Sequence, residues 1–470
     1  MSVLRLAIRV AFIFGLAVAA LQQPLMAVAG DTPFDRYVKQ PDATYQWSVA
    51  KQVDASSATT FVVQLKSQSW RSPSDVDRTV WEHWLTIVRP KQVASNKAFL
   101  MIGGGSNDGR MPEQADEMTR QIAEATNTVV AELRMIPNQP LIFHGDGKPR
   151  KEDDLIAYCW DQYLKTGDAT WLPRLPMVKS VVRAMDAIQE LLGSQAGGSV
   201  PIDQFVVAGG SKRGWTTWMT AATDARVAAI VPIVIDVLNV DPSMRHHAEV
   251  YGYWAKSIGD YVNHQIMKRW EHPRLRQLYE IEDPYYYRDR LTMPKYIVNA
   301  SGDQFFVPDS SQFYFDSLIG EKQLRYVPNA DHSLRGSDAI ASITAFYQMV
   351  LNNQPRPKVS WKFDSDGSIR VVSQPKPQAA QLWQATNPSA RDFRIAKIGK
   401  AFSSQSLSAN DLGEFVCRVE APEQGWTAAF VELTFDTGSK FPLKVSTAVR
   451  VLPDRRPHAG IDPAQVPYEP

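Results

Sequence analysis

Ser211 stands in the run Phe205-Val206-Val207-Ala208-Gly209-Gly210-Ser211-Lys212-Arg213-Gly214-Trp215. An apolar stretch enters a glycine-flanked serine, and a helix-compatible segment follows. A chain that reverses so sharply between strand and helix strains its backbone at the turn, and small neighbours let the two elements approach. The serine hydroxyl then projects above the sheet edge. A helix N-terminus lies beneath it and favours developing negative charge. This is a setting for a nucleophile. The spacing departs from G-x-S-x-G: Gly209 fills the first place, Arg213 takes the last, and Gly214 comes one residue late. A Gly-Gly-Ser turn before a helix is also a common structural device, so the assignment depends on partners elsewhere.

Two downstream runs supply them. Tyr296-Ile297-Val298-Asn299-Ala300-Ser301-Gly302-Asp303 is apolar and ends in an aspartate. Leu324-Arg325-Tyr326-Val327-Pro328-Asn329-Ala330-Asp331-His332 ends in a histidine. Residues just past strand ends lie at the carboxyl edge of a parallel sheet, where sites of open α/β folds form. A serine hydroxyl attacks well only when a neutral imidazole takes its proton, which is the role of His332. Asp303 would orient that ring and stabilise the imidazolium. Asp331 and Asp236 are rival acids. Asp331 is adjacent to His332, which makes side-chain alignment awkward, and Asp236 follows the strand before a large insertion; Asp303 is preferred. The oxyanion of an acyl transfer needs N–H donors. The backbone of Lys212 is one, and Ile102-Gly103-Gly104-Gly105-Ser106 offers a second from Gly104 or Gly105.

Other chemistries fit less well. Gly103 and Gly105 begin a G-x-G, but Asp108 stands where a dinucleotide motif needs its third glycine, and there is no P-loop. His246, His247 and His264 lack a ligand pattern for a metal. No cofactor is expected. Glu152-Asp153-Asp154 near a helix start could capture a substrate amino terminus, although favouring the helix dipole is the plainer role.

The elements that must position these residues alternate. Apolar runs at 98–102, 128–133, 205–208, 228–231 (stopped by Pro232), 295–298 and 324–327 read as strands. Helices are expected over 112–126, 177–192, 212–222 and 339–351. That alternation implies a parallel sheet of α/β class. Two aromatic-rich insertions, near 136–175 and 239–290, read as helical caps. Past Asn353-Gln354-Pro355 the pattern changes to short strands over 355–453, as in a β-sandwich of immunoglobulin-like type. A proline-rich tail, 454–470, reads as loosely ordered.

The N-terminus carries Arg5 and Arg9, then an apolar run from Val10 to Leu21, then Ala27-Val28-Ala29. This resembles a signal peptide over 1–29, cleaved after Ala29, and implies a periplasmic or secreted protein. No other stretch is long enough to span a bilayer. The two cysteines, Cys159 and Cys417, either pair or stay as buried thiols. Lys+Arg total 51 against 50 Asp+Glu, so no charge excess favours nucleic acid or anionic lipid. At 44% hydrophobic residues with 13 Trp, the chain can bury a large core and line a cleft with aromatics.

Gly210-Ser211-Lys212-Arg213-Gly214-Trp215-Thr216-Thr217-Trp218, Leu172-Pro173-Arg174-Leu175-Pro176-Met177-Val178-Lys179 and Val231-Pro232-Ile233-Val234-Ile235-Asp236-Val237-Leu238-Asn239 resemble the PhoPQ-activated pathogenicity-related protein family over most of the mature chain. The Arg after Ser-Lys agrees with that family. The resemblance implies an α/β-hydrolase fold, and it speaks less to activity. The expectation is therefore an exported serine hydrolase with helical caps, acting on an ester or amide bond (a peptide bond included) of a small molecule or peptide. The competing reading is an extracellular binding or signalling protein on the same scaffold. A carbohydrate-active protein using paired carboxylates has only the aromatic content in its favour.

Overall fold

The computed structural model describes residues 31–469; the expected signal peptide, 1–29, lies outside them. Its centre is a nine-stranded mixed sheet, in spatial order β1-β2-β3-β5-β4-β6-β7-β8-β9. The strands are β1 (Gln46–Asp54), β2 (Ala58–Ser69), β3 (Val80–Pro90), β4 (Lys97–Ile102), β5 (Val130–Leu133), β6 (Gln204–Gly210), β7 (Val227–Ile233), β8 (Lys295–Ala300) and β9 (Lys322–Val327). From β5 to β9 all neighbours are parallel. β1, β2 and β3 extend the sheet through antiparallel pairs. The parallel strands are buried on both faces, which explains their unbroken Val/Ile/Leu/Ala runs.

Nine helices and helical turns serve the argument: α1 (Pro33–Lys39), α2 (Glu117–Thr126), α3 (Glu152–Thr166), α4 (Arg174–Gly193), α5 (Lys212–Thr223), α6 (Val240–Tyr251), α7 (Gly259–Asn263), α8 (Pro273–Glu282) and α9 (Ala339–Leu351). α2 is shorter than the expected 112–126. It starts after Asp116, whose side chain accepts the Met118 N–H and caps the helix. α4 begins earlier than expected and takes Arg174 into its first turn. β7 does not stop at Pro232 but runs through it to Ile233. The ladder survives the missing N–H because neighbouring bonds continue, Ser211 N–H to Ile233 O and Val234 N–H to Val298 O.

α3 and the α6–α8 segment are the two insertions, and they lie together. α3 contacts both α7 and α8, and Trp160 of α3 donates to Glu282 of α8. Past Lys358 the chain is antiparallel. One sheet orders β10-β11-β14 (Lys358–Phe363, Ser368–Gln374, Phe415–Arg418). The other joins β13, β12, β15 and β16 (Ser403–Ser406, Ala379–Asn387, Trp426–Phe435, Leu443–Ser446), with β17 (Arg450–Leu452) also on β15. These sheets share one apolar cluster with α9 and the back of the parallel sheet.

The tail is fixed, contrary to the expected loose order. Glu469 is buried and bonds Arg394 (2.9 Å), Lys397 (2.9 Å) and the Lys256 N–H (2.9 Å). Burial opposes its charge, but Arg394 and the Lys256 N–H hold its carboxyl down at about 2. Cys159 and Cys417 are both buried and unpaired, and they sit in separate apolar clusters. Among the described residues no helix is long and apolar enough to cross a membrane.

The late glycine of the serine turn has a packing reason. A Cβ on Gly214 would lie 2.9 Å from Gly209 O, 2.9 Å from Ile235 Cγ2 and 3.0 Å from Ile233 O. α5 can approach β6 and β7 only without it. Gly214→Ala is expected to cost about 1–3 kcal/mol of stability, read as a lowered thermal midpoint; an unchanged midpoint would refute this contact.

Candidate functional site

Ser211 follows β6 directly and is the residue before α5, with φ 58° and ψ −128°. That conformation is costly for a residue with a side chain. It is held by the Ser211 N–H bond to Ile233 O at 2.8 Å and by the glycine contacts above. The site residue types sit where parallel strands end: Ser211 after β6, Asp236 after β7, Asp303 after β8, His332 after β9.

Asp303 and His332 are joined. His332 Nδ1 lies 2.8 Å from Asp303 Oδ2, and Asp303 Oδ1 accepts the Phe305 N–H at 2.7 Å. The Gln304 side chain accepts the His332 N–H. His332 Nε2 is buried and has no hydrogen-bond partner among the described residues, so Ser211 Oγ and this nitrogen are not bonded to each other. Catalytic hydrogen bonds often tighten only with substrate. The ring is packed against Phe305 and Phe306, at centroid separations of 4.3 and 5.9 Å. Those two phenylalanines and Ser211 line one cavity.

The rival acids are engaged elsewhere. Asp331 accepts the Ser333 N–H and hydroxyl at 2.9 and 2.6 Å, within its own exposed turn. Asp236 is buried and accepts from the hydroxyls of Tyr314 (2.7 Å) and Tyr326 (2.5 Å). Burial pushes its carboxyl up to about 7 despite those two hydrogen bonds, and the nearby Asp303 and Asp309 charges add to the rise.

Around the serine turn the charged residues form a clamp. Arg213 donates to Glu152 through both terminal nitrogens (2.8 and 2.6 Å) and to Ile136 O through Nε (2.5 Å). Lys212 Nζ bridges Glu152 (2.8 Å) and Asp153 (3.2 Å). Burial works against the Glu152 charge, but Arg213 and Lys212 hold its carboxyl at about 2. Gly104 lies flat against Arg213: a Cβ there would come 2.8 Å from Nη2. The glycine loop is pinned as well, since Gly104 O accepts the Met135 N–H and Gly105 O accepts from Gln139, at 2.9 and 3.0 Å. Gly105 has φ 139°, which favours glycine.

Of the acidic triplet, then, Glu152 and Asp153 face Lys212 and Arg213, and Asp154 takes His264 Nε2 at 2.7 Å. His246 pairs with Asp309 (2.8 Å), and His247 Nε2 accepts the Ala255 N–H. No group of three or more His, Cys, Asp or Glu side chains among the described residues is disposed to hold a metal ion. Phe305 and Phe306 were not singled out from sequence, although they follow Asp303 directly. The Arg213–Glu152 and Arg174–Glu282 pairs were not either, because each joins residues far apart in the chain.

A mostly parallel sheet, a strained serine between strand and helix, and an Asp–His pair on later strand ends make up an α/β-hydrolase fold. The chain belongs to the PhoPQ-activated pathogenicity-related protein family, whose sequence model matches residues 34–394. It is 38% identical over 462 residues to autocrine proliferation repressor protein A of Dictyostelium discoideum, covering 92% of this chain and 93% of that one. Among solved structures it is similar to acetyl xylan esterase 1 from Thermoanaerobacterium (TM-score 0.47, 12% identity, 68% of this chain and 92% of that one). It is also similar to the Pyrococcus horikoshii acylaminoacyl peptidase (TM-score 0.38, 11% identity, 67% and 52%).

Asp236 gives a pH signature. Its folded value is raised above the unfolded one (~3.9), so ionising it disfavours the fold. The penalty is absent below about pH 4, grows as pH rises toward 7, and is complete above it. Chemical denaturation of the wild type and Asp236→Asn between pH 4 and 8 is expected to show the wild type losing ground to the variant across that window. The relative loss is on the order of 4 kcal/mol; parallel pH curves would contradict it.

Proposed function

We propose that the protein is an exported serine hydrolase that cleaves an ester or amide bond through an acyl-enzyme. Ser211 is the nucleophile, His332 the general base and acid, and Asp303 the residue that orients His332. Ser211 Oγ attacks the substrate carbonyl carbon while its proton passes to His332 Nε2. The bond to the leaving oxygen or nitrogen breaks, and that atom takes the proton from His332. Water then attacks the acyl carbon, gives one proton to His332, and releases the acid as Ser211 regains its hydrogen. The Lys212 N–H and a donor from Gly104 or Gly105 face the oxyanion. The observation that carries the reading is the His332 ring, fixed by Asp303, with its other nitrogen buried and unpartnered beside the walls of the Ser211 cavity.

The same reading takes 1–29 as a cleaved signal peptide, the chain from 30 to 354 as the hydrolase domain, and the sheets over 355–453 as an immunoglobulin-like sandwich. A second reading has one specific observation in its favour. The curated relative is named for repression of proliferation, as an extracellular signalling protein on this scaffold would be.

A fluorophosphonate probe separates the two. The wild type is expected to be labelled and to hydrolyse p-nitrophenyl acetate; Ser211→Ala is expected to lose both. Asp303→Asn is expected to lower kcat by ~10⁴, whereas Asp331→Asn leaves it unchanged. Folded wild type that resists the probe would favour the signalling protein.

A further inference from the structure

The cavity beside Ser211 offers ≈ 70 Å³ to the centres of water-sized groups. One water takes ~10–15 Å³ on that measure, so there is room for a group of about five to seven non-hydrogen atoms. The walls are mainly apolar, and Ile258, Ile266 and Met267 among them come from the cap segment after α6. The polar side chains that also line it are engaged. Asp153 faces Lys212 Nζ and accepts from the Tyr261 hydroxyl, both at 3.2 Å, and Arg174 pairs with Glu282 at 3.0 Å. A charged group entering the cavity would have to displace one of these pairs. The size of an apolar group that fits depends on how firmly the cap side chains are held.

That cap segment is bound to the tail. Trp254 N–H donates to Pro467 O (2.7 Å) and Glu469 N–H to Trp254 O (2.9 Å), a short parallel bridge. The Tyr468 hydroxyl donates to Lys256 O (3.2 Å), and a Cβ on Gly259 would collide with it. The turn Pro463–Gln465 packs on Met267–Arg269. Lys256 and Gly259 flank the wall residue Ile258, and Met267 is itself a wall. The tail is anchored in turn. Glu469 Oε2 accepts both the Lys256 N–H and Arg394 Nη1, at 2.9 Å each, and Oε1 meets Lys397 Nζ at 2.9 Å. Charge-assisted bonds of this kind are about twice as strong as neutral ones, and Glu469 is buried. One carboxylate thus ties the cavity wall to the C-terminal β region.

We propose that the tail is a specificity element of the hydrolase: by fixing the cap segment 254–269 it keeps the cavity small, so that short, uncharged, apolar acyl groups are accepted and long ones are excluded. The inference rests on the Ser211 reading. Ser211 and Lys212, whose N–H would face the oxyanion, are walls of the cavity. His332, which must reach the leaving atom, packs against Phe305 and is not a wall, so the cavity takes the acyl side. Glu469 is a positioning residue and touches no substrate.

The test compares p-nitrophenyl hexanoate with p-nitrophenyl decanoate, below micellar concentrations, on the full chain. Wild type is expected to favour the hexanoate by about tenfold in kcat/KM. Glu469→Pro removes the N–H given to Trp254 O together with the carboxylate. It is expected to bring the ratio close to one, chiefly by lowering KM for the decanoate, while fluorophosphonate labelling of Ser211 persists. Glu469→Gln keeps the N–H and is expected to move the ratio the same way by a smaller factor. A wild-type ratio of one or less overturns the proposal. So does an unchanged ratio in folded Glu469→Pro, or in Glu469→Gln where the proline variant does not fold. An equal loss of both esters in a folded variant also overturns it, because the tail would then brace the whole site without selecting. Labelling at Ser211 with wild-type turnover of neither ester overturns the size limit and leaves the hydrolase reading standing. Neither labelling nor turnover overturns both.

Discussion

The architecture turns on the reversal at Ser211. A residue with a side chain held at φ 58° and ψ −128° costs roughly 1–3 kcal/mol and persists only where its surroundings leave no alternative. Three constraints do this. β6 is locked between β4 and β7 in the middle of the sheet. Gly209 and Gly214 let α5 press onto that strand. The Ser211 N–H is tied to Ile233 O. Relaxing any of them would let the turn open and would withdraw the hydroxyl from the sheet edge.

The arginine in place of the usual glycine then becomes intelligible. Position 213 accepts a side chain because Gly209 of β6, opposite it, has none (a Cβ there would lie 3.0 Å from Arg213 Cβ), whereas a Cβ at position 214 would meet β6 and β7. Arg213 is therefore free to point toward the cap, where it holds Ile136 O and Glu152. With Lys212 it ties the first turn of α3 to the first turn of α5. Glu152, at φ 54°, is itself in a strained conformation and is fixed by this clamp and by Gln139. Cap and serine turn are thus one charged unit, and the cavity forms between them.

Much of this was legible in the sequence wherever local pattern and tertiary role coincide. Asp303 and His332 each follow an apolar run, and their strands are parallel neighbours, so the two loops end side by side. The helix over 339–351 matches its apolar spacing. What was illegible depends on distant partners. Asp236 looks like a free strand-end acid until Tyr314 and Tyr326 are seen to enclose it. Glu152-Asp153-Asp154 reads as a helix start because its partners lie some 60–110 residues away. The tail reads as loose from its prolines, yet the penultimate residue Glu469 finds Arg394, and Trp254 N–H finds Pro467 O. Composition predicts order only through local propensity, and here order comes from buried ion pairs.

The C-terminal β region bears on the same site. Its change of architecture is not a change of core, because the apolar cluster runs from α9 and the back of β8 and β9 into β11, β12, β15 and β16. It also reaches the loops that carry the Asp–His pair. Phe402 exchanges two hydrogen bonds with the Asn329 side chain, at 2.8 and 2.9 Å. Ser446 Oγ accepts the Tyr326 N–H. Ile395 N–H bonds Gly302 O, and its side chain would collide with any Cβ on residue 302. Asn329 itself has φ 55°, a left-handed conformation that Asn adopts more readily than most residues, so the turn that delivers His332 is set by its backbone. In the serine turn the parallel sheet supplies the restraint. In the histidine turn much of it comes from the region beyond residue 390, which makes the β region a structural part of the site it adjoins.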